Sequence, residues 1–212
     1  MTQIKICGIT NLADARYASG AGADLLGFIQ HEASPRFVEA GLARDIIAWI
    51  HGAESVGVFV DADADDVNKT AAATGFDYIQ LHGSESPAYC ERIERPVIKA
   101  VRVFPGTSAS EIELALSAYS DVVEYFLIDT GSSSAAGGTG TPFDWSVLHG
   151  VEFPKPWLLA GGLDPDNVSL ALERLSPWGV DVASGVEEKA GLKDFEAIDR
   201  FVEAVRGEIA NR

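Results

Sequence analysis

The chain has 212 residues, of which 47% are hydrophobic and 23% charged, proportions that exclude disordered, collagen-like and low-complexity architecture. Its net charge of −16, from 16 basic and 32 acidic side chains, repels nucleic acid phosphates and anionic membranes, so neither is expected as a partner. No apolar run reaches the roughly 18 residues of a membrane span, the start MTQIKICGIT lacks the pattern of a secretory leader, and the two cysteines, Cys7 and Cys90, are too few for a disulfide scaffold; a cytoplasmic protein is expected.

Short apolar runs rich in β-branched residues predict strands near Ile4–Cys7, Leu25–Ile29, Ser55–Val60, Tyr78–Leu81, Val97–Val103, Tyr125–Ile128, Trp157–Leu159 and Val180–Val182. These eight runs lie roughly 25 residues apart, and the segments between them carry helical periodicity, as in Ala40–Ile50 and Asp194–Val205. Asn11, Asp63, Ser84, Ser110 and Asp164 are candidate helix caps. Eight strands each followed by a helix predict a single (β/α)₈ barrel of the α/β class over residues 1–212, near the minimal length for that fold. An open doubly wound sheet is the alternative. Against it, the turn after the first strand reads Cys7-Gly8-Ile9-Thr10-Asn11, not the glycine fingerprint of a dinucleotide fold.

A barrel enzyme carries its reacting groups at the C-terminal ends of its strands, here Cys7, Gln30, Asp61, His82, Arg102, Asp129, Gly161 and Ser184. Alternation sends Lys5 and Cys7 to the barrel interior and Ile4 and Ile6 to the helices. The thiol then faces the mouth, either as a small hydrophobe or as a reactive group; Cys90, in the helical stretch Pro87–Ile93, reads as inert. Asp129 ends an apolar strand just before the glycine- and serine-rich segment Thr130 to Pro142, which has the composition of a lid or a slack connector. Partial desolvation there favours a raised carboxyl pKa and a general acid; a loop hydrogen-bond acceptor is the plainer role. Asp181 points into the barrel, where a bare carboxylate is expensive, so Lys5 on the adjoining strand is its expected partner. Gly161-Gly162 and Ser184-Gly185 follow the last two strands, where barrels bind phosphate on backbone N–H groups. Arg36, after the second strand, is suited to gripping a carboxylate or is simply a surface arginine. His82 is expected to contact substrate without reacting. Neither histidine nor carboxylate spacing suggests a metal site, and no cofactor is expected.

At these positions the sequence resembles the phosphoribosylanthranilate isomerase family. The resemblance runs through Lys5-Ile6-Cys7-Gly8-Ile9-Thr10, Gly27-Phe28-Ile29, Ser34-Pro35-Arg36, Gly57-Val58-Phe59-Val60 and Gln80-Leu81-His82-Gly83. It continues through Gly137-Gly138-Thr139-Gly140, Phe143-Asp144-Trp145, Ala160-Gly161-Gly162-Leu163, Gly179-Val180-Asp181-Val182 and Ser184-Gly185-Val186-Glu187. It implies a barrel enzyme of tryptophan biosynthesis that acts on a small phosphosugar by an Amadori rearrangement, without metal, as a monomer or homodimer. It further implies Cys7 as general base, with thiolate character drawn from nearby positive charge such as Lys5 or the developing iminium, and Asp129 as general acid. Arg36 would hold the anthranilate carboxylate, and Gly161, Gly162, Ser184 and Gly185 the phosphate. Gln80, His82 and Asp181 complete the implied substrate contacts. The sequence departs from the family pattern at Gln30, Asp61, Ala183 and Ala190. A histidine-pathway isomerase on the same scaffold would carry aspartate in place of Cys7, and a non-catalytic metabolite sensor would have little use for both Cys7 and Asp129.

The acidic residues are spread evenly, and lysine is scarcer than arginine, six against ten. Such a coat suits either a high-salt habitat or an ordinary acidic enzyme. On the first reading the melting temperature rises markedly between low and molar salt, because screening relieves self-repulsion; a thermal melt showing no change removes it.

Overall fold

The computed structural model describes residues 1–104, 106–130 and 145–210, with side chains to residue 207. Eight parallel strands close in chain order into a barrel: β1 (Gln3–Cys7), β2 (Leu25–Ile29), β3 (Glu54–Phe59), β4 (Tyr78–Leu81), β5 (Val97–Arg102), β6 (Tyr125–Asp129), β7 (Trp157–Ala160) and β8 (Gly179–Val182). Each predicted strand is present, with no end displaced by more than one residue. Closure is made by β1 against β8, with Lys5 opposite Asp181.

Alternation along the strands builds two apolar layers. Cys7, Leu25, Val56, Val58, Ile98, Ala100, Leu127, Leu158 and Ala160 fill the barrel interior. Their neighbours, including Ile4, Ile6, Phe28, Ile79, Phe126 and Leu159, face outward and are covered by helices. Each large outward side chain so buried contributes roughly 1.5–3 kcal/mol. The foot of the barrel is closed by aromatic rings, Tyr125 stacked on Trp178 at 4.4 Å and Tyr78 tilted against Tyr125 at 5.7 Å.

The outer layer comprises α1 (Leu12–Ala21), α2 (Ala40–Ile47), α3 (Ala64–Thr74), α4 (Pro87–Cys90), α5 (Ala109–Ser117), α6 (Val168–Leu175) and α7 (Phe195–Ala210). Asn11 and Asp63 cap α1 and α3 as expected, accepting from the N–H groups of Asp14 and Asp65. The other three caps are corrected. Ser86, not Ser84, caps α4, which puts Pro87 at the first helical position where its missing N–H costs nothing. Ser108, not Ser110, caps α5 in a reciprocal pairing with Glu111. Asp164 instead organises the turn before α6, accepting from Asp166 and Asn167.

Helical segments follow the strands as expected, although between β6 and β7 the residues 131–144 lie outside the described ones. Among the described residues a 3-10 turn, Trp145–Leu148, is the only helical element between β6 and β7. The Thr130 to Pro142 segment lies outside the described residues after Thr130. Beyond β8, a short antiparallel hairpin of β9 (Glu187–Lys189) and β10 (Leu192–Lys193) is added to the barrel pattern. No helix among the described residues is long and apolar enough to cross a membrane.

Candidate active site

The strand ends open into a cavity of about 320 Å³. Cys7 reaches it from β1, Asp129 from β6, and Gln80 and His82 from the end of β4. Gly161 and Gly162 follow β7 along its wall, Asp181 and Ser184 line it from β8 onward, and Arg36 enters from the loop after β2. Gly185, expected beside Ser184, is not among the lining residues. A Cβ on Gly185 would sit 2.0 Å from the carbonyl oxygen of Leu163, so this glycine is required for the β8 turn to pack against the β7 loop. Ser34 and His31 also line the cavity; Ser34 lies in the motif that carries Arg36 but neither was expected as a site residue.

At the base of the site Lys5 is fully buried and its Nζ donates to Asp181 Oδ1 at 2.7 Å, the expected pairing. Burial works to lower the Lys5 pKa, but Asp181 and then Cys7 outweigh it and the net direction is up, so the ammonium stays charged. Cys7 is 6% exposed. Burial pushes its thiol up; Lys5 pulls it down, Asp181 pushes it up again, Lys193 pulls it down, and the balance lies above the ordinary thiol value. Lys5 does draw the thiol toward its anion, but burial is the larger influence, so in the resting protein the Lys5 charge alone does not give Cys7 thiolate character. At neutral pH Cys7 is a thiol. Alkylation of Cys7 by iodoacetamide, followed on its own peptide by mass spectrometry, is expected to accelerate with pH through pH 9. A plateau below pH 8 contradicts the assignment.

On the facing wall, His82 Nε2 lies 3.2 Å from Asp129 Oδ2. Gln80 Nε2 donates to His82 Nδ1 at 2.9 Å, which fixes the tautomer so that Nε2–H points at the Asp129 carboxyl. Gln80 Oε1 is buried and has no hydrogen-bond partner. The β4 turn beneath His82 is anchored by a buried pair: Lys99 Nζ donates to Glu85 at 2.9 Å and to the Gly83 carbonyl at 2.8 Å. Glu85 in turn accepts from the N–H groups of Asp61 and Gly83. Asp61 adopts φ 48 and accepts from Ser84 N–H, a left-handed position that asparagine and aspartate both tolerate. Gln30 donates to the Val38 carbonyl at 3.0 Å, and Arg102, at the end of β5, is exposed and does not line the cavity.

Thr130 ties the end of β6 to β7, its Oγ1 donating to the Ala160 carbonyl at 2.9 Å. This places Asp129 beside the Gly161-Gly162 turn, where both glycines hold positive φ of 93 and 68. The N–H groups of Gly162, Ser184 and Gly185 donate to no group among the described residues. Unpaired N–H groups of this kind suit an anion.

Arg36 is not a free surface arginine. Its Nε and Nη2 donate to Glu187 at 2.9 and 2.6 Å in a fork, and Lys193 Nζ reaches the same carboxylate at 3.0 Å. Burial works to raise the Glu187 pKa, yet Arg36 and Lys193 together bring it below the usual carboxylate value. Lys193 moves down, because burial outweighs the attraction of Glu187. Sequence reading passed over Glu187 and Lys193 as site residues.

The model of the N-(5'-phosphoribosyl)anthranilate (PRA) isomerase family matches residues 4–204 of this architecture. The chain belongs to this family. It is 47% identical over 204 residues to the N-(5'-phosphoribosyl)anthranilate isomerase of Geobacter sp. (strain M21), covering 95% of this chain and 97% of the relative. The crystal structure of the Thermotoga maritima phosphoribosyl anthranilate isomerase superposes with a TM-score of 0.88 at 35% identity, over 98% of this chain and all of that one. A phosphoribosyl anthranilate isomerase crystallised with reduced 1-(o-carboxyphenylamino)-1-deoxyribulose 5-phosphate is 34% identical, with a TM-score of 0.85 over 98% of this chain and 100% of that one. Membership in the isomerase family agrees with a cavity that carries an acid candidate, a base candidate and an anion-suited turn on one rim.

Proposed function

We propose that this chain, as one catalytic domain over residues 1–212, converts N-(5'-phosphoribosyl)anthranilate to 1-(2-carboxyphenylamino)-1-deoxyribulose 5-phosphate in the cytoplasm, with Asp129 as general acid and Cys7 as general base. The observation that carries the assignment of roles is that the Cys7 thiol and the Asp129 carboxyl line one cavity from strands on different sides of the barrel mouth. Asp129 gives a proton to the furanose ring oxygen as the C1–O bond breaks, and the anthranilate nitrogen lone pair forms a C1=N iminium. The iminium acidifies the adjacent C2–H. Cys7 takes that proton, the C2–H electron pair forms C1=C2 as the C1=N π pair returns to nitrogen, and protonation at C1 with loss of the C2 hydroxyl proton leaves the C2 ketone.

In the resting site burial disfavours the Cys7 thiolate, the form that can act as base. The developing iminium supplies positive charge beside Cys7, so the thiol releases its proton to solvent at that stage and the thiolate then takes the C2 proton. Arg36 takes the anthranilate carboxylate, the N–H groups of the Gly162 and Ser184-Gly185 turns take the phosphate, and Gln80, His82 and Asp181 complete the contacts. The unpartnered Gln80 Oε1 and the His82–Asp129 pairing support their share of this reading. The protein acts as a monomer or a homodimer. The decisive experiment follows loss of phosphoribosylanthranilate fluorescence with purified protein; absence of turnover overturns the proposal, and turnover of a histidine-pathway phosphosugar instead would reassign the substrate.

A further inference from the structure

We propose that Glu187 is a positioning residue that sets substrate selectivity by locking Arg36, so that one edge of the guanidinium is left for an aromatic carboxylate in the cavity. The inference rests on the reading of Arg36 given above and extends it to the β9–β10 hairpin. A guanidinium offers five donors on two usable edges. In this chain the Nε and Nη2 edge is committed: Nε lies 2.9 Å from Oε1 and Nη2 lies 2.6 Å from Oε2 of Glu187. Arg36 nevertheless lines the cavity, and its Nη1 donates to no group among the described residues.

Glu187 itself is saturated. Oε1 also accepts from Lys193 Nζ at 3.0 Å and from Gly191 N–H at 3.3 Å, and the side chain is only 3% exposed and does not line the cavity. It therefore acts through Arg36 rather than on substrate. The arrangement answers two physical difficulties. Arg36 stands on a loop, and a long side chain free to rotate loses entropy on gripping a ligand; a fork fixed beforehand removes that cost. A carboxylate placed behind an anion-binding arginine would cancel its charge, but the buried Lys193 restores it, so the Arg36, Glu187 and Lys193 cluster carries one net positive charge. The same Lys193 Nζ donates to the carbonyls of Cys7 at 2.6 Å and Ala183 at 3.0 Å. The hairpin thus ties the Arg36 loop to the main chain of the proposed base and to the turn that leads to Ser184.

The test measures, by calorimetry, binding of two ligands to the full chain: reduced 1-(o-carboxyphenylamino)-1-deoxyribulose 5-phosphate and its congener made from aniline, which lacks only the carboxylate. Arg36→Met is expected to weaken the first roughly tenfold to a hundredfold and leave the second nearly unchanged. Glu187→Gln is expected to reproduce the larger part of that selective loss, about tenfold, and to add nothing in the Arg36→Met background. Glu187→Asp, which keeps the charge but withdraws it by one methylene, is expected to fall between and serves if Glu187→Gln does not fold. Equal weakening of both ligands by either Glu187 variant means a merely structural role and overturns the inference. Loss of discrimination in neither Arg36→Met nor Glu187→Gln overturns it by a separate route, since the carboxylate is then held elsewhere and the reading of Arg36 fails first.

Discussion

Cys7→Ala and Asp129→Asn are each expected to lower kcat for phosphoribosylanthranilate by about a thousandfold or more, while the reduced product analogue binds within a few-fold of its original affinity. A positioned acid or base contributes roughly 10²–10⁴-fold, and here each substitution removes the group that moves a proton without changing the shape of the cavity. Asparagine still accepts a hydrogen bond from His82 Nε2, which lies 3.2 Å from Asp129 Oδ2 in the intact site, so the β4 side of the pocket keeps its geometry. Alanine at position 7 removes a sulfur that is 6% exposed, with little loss of packing. Steady-state kinetics and calorimetry on both variants separate the two effects. Full turnover in either variant refutes its assigned role, and loss of analogue binding in parallel with kcat would show that the substitution had damaged the site.

The second large effect concerns stability. Asp181→Asn leaves the Lys5 ammonium, 0% exposed, facing a neutral amide in the barrel interior. Breaking a buried pair from one side costs about 3–5 kcal/mol, and because Asp181 lines the cavity and is reached by solvent the lower end is expected. In a chain of 212 residues a loss of about 3 kcal/mol lowers the melting temperature by roughly 6–12 °C. Replacing both partners, Lys5→Met with Asp181→Asn, should recover part of the loss, since the unpaired charge is gone. The pH dependence follows from the direction of the Lys5 shift. Its folded pKa is raised, so its contribution is complete below the ordinary lysine value and is lost as pH rises through the folded one. The raised Cys7 thiol acts in the same direction and begins to do so lower, near the ordinary thiol value. Thermal melts of the single and double variants from pH 7 to pH 11 measure both. A single variant that melts within a degree or two of the parent would mean that water or a rearranged partner solvates Lys5.

Much of this molecule was legible because its signals are local. The strand runs carry their own periodicity, and alternation alone sends Lys5, Cys7 and Asp181 inward and Ile4 and Ile6 outward. The strand-end rule then brings Cys7, His82, Asp129, Gly161 and Ser184 to one rim without any distance being known. Cap positions were less legible. Ser84 and Ser86 stand two residues apart, as do Ser108 and Ser110, and which serine closes the helix depends on where the preceding strand delivers the chain.

The sequence by itself determined the barrel, the facing acid and base candidates, the Lys5–Asp181 pairing and the family. The barrel, the inward residues and the pairing rest on residue type at positions fixed by a short-range period, and the family on a resemblance carried by motifs along the chain. Only the tertiary structure decided that Glu187 grips Arg36 across 151 residues, that Lys193 holds the Cys7 carbonyl across 186, and that Gly185 packs against Leu163 behind the cavity wall. It also decided that Cys7 rests as a thiol, because desolvation and the sharing of the Lys5 charge depend on what surrounds a side chain in three dimensions, and no local pattern encodes those surroundings.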